Sequence, residues 1–162
     1  MNINIKQLRD GTLRAKKFDF KADISDIEPS VPAEITISGE IVNRADVLIL
    51  SMEIRGVREL LCDRCAKEFS RETVVPFESC VVDHLDNEDD EDYFIVCEGD
   101  ELDIEELAVS VFILGFESKN LCSEDCKGLC QKCGANLNEQ VCTCKDESID
   151  PRLEILAQLL DD

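Results

Sequence analysis

Apolar side chains recur at every second position through the first two-thirds of the chain. Ile3 and Ile5 alternate with Asn2 and Asn4, and Phe18 and Phe20 with Lys17, Asp19 and Lys21. Ile35, Ile37 and Ile41 alternate with Glu34, Thr36 and Glu40, and Leu48, Leu50, Met52 and Ile54 form another alternate set. The run from Phe69 to Val82 is rich in β-branched and aromatic residues, with Pro76 marking a bend or an edge. Tyr93 to Cys97 gives a shorter signal of the same kind. A period of two sends successive side chains to opposite faces of a pleated strand. Joined by short polar links, such segments predict an antiparallel sheet or a partly closed β-barrel.

The period changes late. Asp103 is placed to cap a helix over Ile104–Phe116, with Glu106 three positions on in the manner of a capping box. Apolar residues fill nearly every position from Leu107 to Leu114, so this helix is expected to be buried against the sheet. Asp150-Pro151 then offers a cap residue followed by proline at the first helical position. Leu153, Leu156, Ala157 and Leu160 line one face of that terminal helix. The expected fold class is α+β. A β-rich body with a buried late helix occupies residues 1–118, and a cysteine-rich metal-binding segment with a short terminal helix occupies 119–162.

Charge divides the chain unevenly. The net charge is −20, yet residues 1–71 balance 12 Lys/Arg against 12 Asp/Glu, while residues 72–162 hold 5 bases and 25 acids. Acidic surface repels phosphate backbones and favours basic proteins as partners. Candidate contacts to RNA or a partner therefore lie in the first half: Lys6, Arg9, Arg14, Lys16, Lys17 and Lys21, or Arg55, Arg58, Arg64, Lys67 and Arg71. The stretch Asp83–Asp92 holds seven acids in ten residues and reads as a solvated loop. It fails as an EF-hand, because a loop starting at Asp86 would need Gly and Glu where Glu91 and Cys97 stand.

Ten cysteines change the picture more than charge does. Residues 1–21 carry six bases and no long apolar stretch, so neither an export signal nor a membrane span is expected. A cytoplasmic location keeps thiols reduced, where clustered cysteines more often bind metal than form disulfides. Cys130-Gln131-Lys132-Cys133-Gly134 has the form of a zinc knuckle, its Gly letting the backbone bend so that amides approach the sulfurs. Cys142-Thr143-Cys144 completes a first four-sulfur site. A second would take Cys62 and Cys65 from a hairpin tip together with Cys122 and Cys126, unless the latter two share the first site's ion or stay free. The expected metal is Zn²⁺; an iron–sulfur cluster uses the same four-cysteine set and the spacing leaves it open. Cys80 and Cys97, alone in strand patterns, read as buried apolar thiols.

Catalysis finds little support. All-cysteine ligation closes a zinc site, whereas a catalytic zinc keeps an open position and a nearby base. The single histidine, His84, sits in the acidic stretch and reads as a solvated side chain. A glycine-rich nucleotide loop and a Ser/His/Asp set are both missing from the sequence, so neither an enzyme nor a small-molecule substrate is expected. A thioredoxin-like pair should open a helix after a strand, but Cys62-Asp63-Arg64-Cys65 is followed by strand, which disfavours a thiol oxidoreductase.

Several blocks together resemble the bacterial YceD family. They are Leu61-Cys62-Asp63-Arg64-Cys65 with Phe69, the acidic stretch leading to Asp100-Glu101-Leu102-Asp103, the run Cys126-Lys127-Gly128-Leu129-Cys130 through Asn138, and Asp150-Pro151-Arg152-Leu153. The resemblance implies a non-enzymatic protein needed for accumulation of large-subunit (23S) ribosomal RNA, with a related role in plant plastids. Set beside that role, the uneven split of charge points to a ribosomal protein or ribosome-assembly factor held by the acidic half, and leaves direct rRNA contact open. Family members that lack the later cysteines imply that the metal site supports the fold. The rival class is a zinc-stabilised adaptor or chaperone without a ribosomal role.

Overall fold

The computed structural model describes residues 1–25, 32, 34–85 and 94–144 of the chain. Its centre is a five-stranded sheet built from β2 (Ala15–Asp23), β3 (Glu34–Arg44), β4 (Val47–Leu61), β5 (Glu68–Val82) and β6 (Phe94–Val96), in that spatial order. The first four are a meander of antiparallel neighbours, and β6 runs parallel to β5 along the edge. β1 (Asn2–Asn4) and β7 (Glu101–Asp103) form a separate antiparallel pair. The sheet is open and mixed: β2 and β6 remain as edges. Periodicity foretold which residues share a face; it carries no information on strand direction, and so missed the parallel edge.

Burial alternates as the pattern required. Ile37, Ile41, Leu50 and Ile54 point to one face and are fully buried. Helix α2 (Ile104–Leu114) covers that face with Ile104, Ala108 and Phe112, joined by Ile3, Ile5 and by Leu8 from the short helix α1 (Lys6–Arg9). Gly56 makes room for this packing, since a Cβ there would lie 2.8 Å from Phe112 Cζ. Helix α2 starts at the expected cap: Asp103 Oδ1 accepts the N–H groups of Glu105 (3.0 Å) and Glu106 (3.2 Å). It ends two residues before the expected Phe116, at Gly115, where a Cβ would stand 2.8 Å from Val75 Cγ2, and the chain turns so that Phe116 meets Phe112 edge-on at 5.1 Å.

Two features of the sheet matter below. On the face away from α2, the register aligns Ala15, Val42, Ile49, Cys80 and Phe94 in a row across all five strands. Beyond Ile35↔Gly56, the last β3–β4 rung at that end, β4 and β5 continue together as a ribbon. The expected terminal helix and residues 86–92 of the acidic stretch lie outside the described residues. Among the described residues, no helix is long and apolar enough to cross a membrane.

Candidate metal centres

The ribbon ends in the tight turn that carries Cys62 and Cys65. Cys62 N–H donates to Lys67 O (2.9 Å) and Ala66 N–H to Cys62 O (2.8 Å), with Ala66 in the left-handed region at φ 54°. The chain leaving α2 is clamped to this tip by reciprocal bonds: Asp63 N–H to Asn120 O (2.8 Å) and Asn120 N–H to Asp63 Oδ2 (2.7 Å). Arg71 donates to Leu121 O (2.5 Å) and Arg64 to Cys126 O (2.8 Å). These clamps bring Cys122 and Cys126 onto Cys62 and Cys65, forming a small apolar cluster with Phe69 and Leu121, separate from the main core.

The second group is built upon the first. Gly128 turns the chain at φ 75°, so close to the tip that a Cβ would stand 2.9 Å from Arg64 O. Leu129 N–H then donates to that same carbonyl (3.0 Å). A narrow loop follows, held by Leu137 N–H to Gly128 O (2.9 Å) and Cys130 N–H to Ala135 O (2.8 Å), and it presents Cys130 and Cys133 to Cys142 and Cys144. Asn138 ties the two groups together: its Oδ1 accepts Lys127 N–H (2.8 Å) and its Nδ2 donates to Cys126 Sγ (3.4 Å). The Gly and Asn of the sequence block thus have geometric duties, which spacing between cysteines alone did not reveal.

Within each group the four Sγ atoms lie within 4.8 Å of one another, and all ten cysteines are free. Cys62–Cys126 and Cys65–Cys122 are 3.7 Å apart; Cys133–Cys142 and Cys130–Cys142 are 3.5 and 3.4 Å. A disulfide would need roughly 2.05 Å, whereas sulfurs about 2.3 Å from a tetrahedral ion stand roughly 3.8 Å apart. Both groups can therefore hold a metal ion. Cys62, Cys65 and Cys126 are buried, while Cys133 and Cys144 are exposed.

Thiol acidity follows the backbone amides. The N–H of Cys122 is the main cause holding Cys62 at about 6, with the amides of Arg64 and Cys65 adding to it against burial. Cys130 is likewise brought to about 6 by the amides of Cys133 and Lys132. The Lys67 amide pulls Cys65 down, but burial and the crowding sulfurs of Cys62, Cys126 and Cys122 outweigh it and push Cys65 up to about 12. Four sulfurs this close cannot all ionise beside one another without a cation between them.

The structure brings Cys130, Cys133, Cys142 and Cys144 together in one group and Cys62, Cys65, Cys122 and Cys126 in the other. Cys97 is buried, as expected, and its Sγ faces Gly99 O and Glu101 O at 3.3 and 3.4 Å. Cys80 departs from expectation: opposite Ile49 in the register, it belongs to the solvent face and is only half-buried. His84 is exposed and belongs to neither group.

Many of the candidate basic contacts are engaged within the chain. Arg9 donates to Cys97 O (2.6 Å) and Gly99 O (2.7 Å) and pairs with Asp83. Lys16 reaches Asn4 O (3.2 Å), Lys21 pairs with Glu34, and Arg55 with Glu53. Arg58 is buried with its guanidinium 3.6 Å from the Phe116 ring centre. Lys6, Arg14, Lys17 and Lys67 are exposed and have no ion pair among the described residues.

A family model described as "Large ribosomal RNA subunit accumulation protein YceD" matches residues 50–160. The Arabidopsis thaliana protein "Large ribosomal RNA subunit accumulation protein YCED homolog 1, chloroplastic" is 28% identical over 157 residues, covering 79% of this chain and 48% of the relative. The chain thus spans about half the length of the curated relative it matches. No solved structure matches.

Proposed function

The chain belongs to the YceD family, and from that membership we propose that it is a non-enzymatic, zinc-binding factor for accumulation of large-subunit (23S) ribosomal RNA, acting in the cytoplasm through protein contacts on its acidic half. The match over residues 50–160 carries this reading. The site chemistry agrees with it. Four cysteine sulfurs per group would fill a tetrahedral ion and leave no position for a reacting water. Bound there, Zn²⁺ would supply charge balance for thiolates. The cysteines themselves would then fasten the β4–β5 hairpin tip to the segment after α2, which is a structural task.

Charge argues for a protein partner. A chain of net −20 gains little from contact with phosphates, and much of its candidate basic surface is spent on internal carbonyls and carboxylates. A basic ribosomal protein or an assembly factor fits better than naked rRNA. Depletion of the protein tests the role. Large-subunit rRNA is expected to fall relative to small-subunit rRNA, and an unchanged ratio would reject it.

A further inference from the structure

A sheet covered on one face only should carry polar side chains on the other. This one obeys over most of its length: Lys17, Glu40, Ser51 and Glu78 are aligned neighbours on the solvent face. One outward rung away the rule breaks. Val42, Ile49, Cys80 and Phe94 follow one another across β3 to β6, flanked on the next rung by Val47 and Val96. Phe94, Val47 and Val96 are 38%, 45% and 43% exposed. Helices α1 and α2 pack on the opposite face, so neither covers them. Scattered exposed apolar residues are ordinary, but a contiguous apolar row near one end of the strands, left uncovered among the described residues, marks a contact surface.

Charge selects the occupant. Within two outward rungs of the row, β2 to β5 hold the acids Asp19, Glu40, Glu53 and Glu78 against the bases Lys17 and Arg44. A second copy would bring the same negative face, and a nucleic acid would bring phosphates; both are repelled. The geometry points to this row as the docking surface for a basic polypeptide, whose apolar residues cover Ile49 and Phe94 while its Lys and Arg side chains meet the surrounding carboxylates. An open hollow of about 610 Å³ beside the row is lined by Asp19 and Glu40 together with Lys17. The inference rests on the reading that this chain works through protein contacts, and adds where they are made.

The test uses full-length protein and, as probe, the RNA-free protein fraction stripped from large ribosomal subunits, with retained proteins identified by mass. The parent is expected to retain one or a few basic proteins. Ile49→Glu, and independently Phe94→Ser, should cut that retention about tenfold with melting behaviour unchanged. Val57→Glu, equally outward but on the distant ribbon, should leave it intact. Retention that survives both row variants, or that Val57→Glu abolishes as well, overturns the surface while the contact reading stands. A parent that retains nothing basic overturns the proposal. A dimer that Ile49→Glu turns into monomer assigns the row to a second copy and rejects the proposal.

Discussion

Gly128 answers to two constraints at one atom. Its φ of 75° lies where an L side chain costs roughly 1–2 kcal/mol, and a Cβ would also collide with Arg64 O at 2.9 Å. Relief requires the hairpin tip to move, so Gly128→Ala is expected to destabilise by about 2 kcal/mol or more. It should also weaken the second cysteine group more than the first. Zinc titration with a chromophoric chelator checks this: two equally weakened sites would contradict it. Arg64 shows the limit of reading charge from sequence. Its guanidinium serves Cys126 O and its carbonyl serves Leu129 N–H, contacts with residues more than sixty positions away. Nothing in a cluster of bases announces such an acceptor. Arg9, fastened to Cys97 O across 88 positions, is the same case.

At the scale of elements, α2 depends on its first turn. Asp103 is held below its ordinary value of 3.8, chiefly by the Glu106 amide. A depressed carboxylate stabilises the fold fully above its unfolded value and loses that contribution as pH falls through its folded one. Asp103→Ala should cost about 1 kcal/mol at neutral pH. The gap to the parent should narrow as pH falls below 3.8. Urea melts of both proteins at pH 7 and pH 3 would show it, and a gap of equal size at both would refute the assignment. This cap was legible because an acid stood directly before an apolar run. The strands were legible because one face is buried and the other wet. Cys80 was not, since its parity becomes meaningful only once Ile49 is known to stand opposite. Nor was the direction of β6, which a three-residue strand does not encode.

At the scale of the molecule, the described residues form two apolar clusters joined by a ribbon. The main core holds Ile37, Leu50, Ile54 and Phe112; the smaller one holds Cys62, Cys65 and Cys126. Between them the facing pair Arg58↔Arg71 interrupts apolar packing. Stability need not be uniform across such a body. Chelation is therefore expected to abolish amide protection over 62–67 and 120–144 while β3 and β4 up to Ile54 keep theirs. Hydrogen exchange with and without chelator would decide, and loss of protection throughout would show one cooperative unit. The cysteine pairs made the smaller cluster visible in the sequence, through their short separations. Its dependence on a carbonyl at the hairpin tip was visible only in three dimensions.

That dependence imposes a sequence of events on a chain being synthesised. The tip residues emerge first, then Cys122 and Cys126, and only afterwards the loop that leans on them through Leu129 and Asn138. Maturation is thereby expected to be vectorial, each stage templating its successor. When metal is scarce, a single bound ion is expected in the interior group, leaving Cys133 and Cys144 open to oxidants.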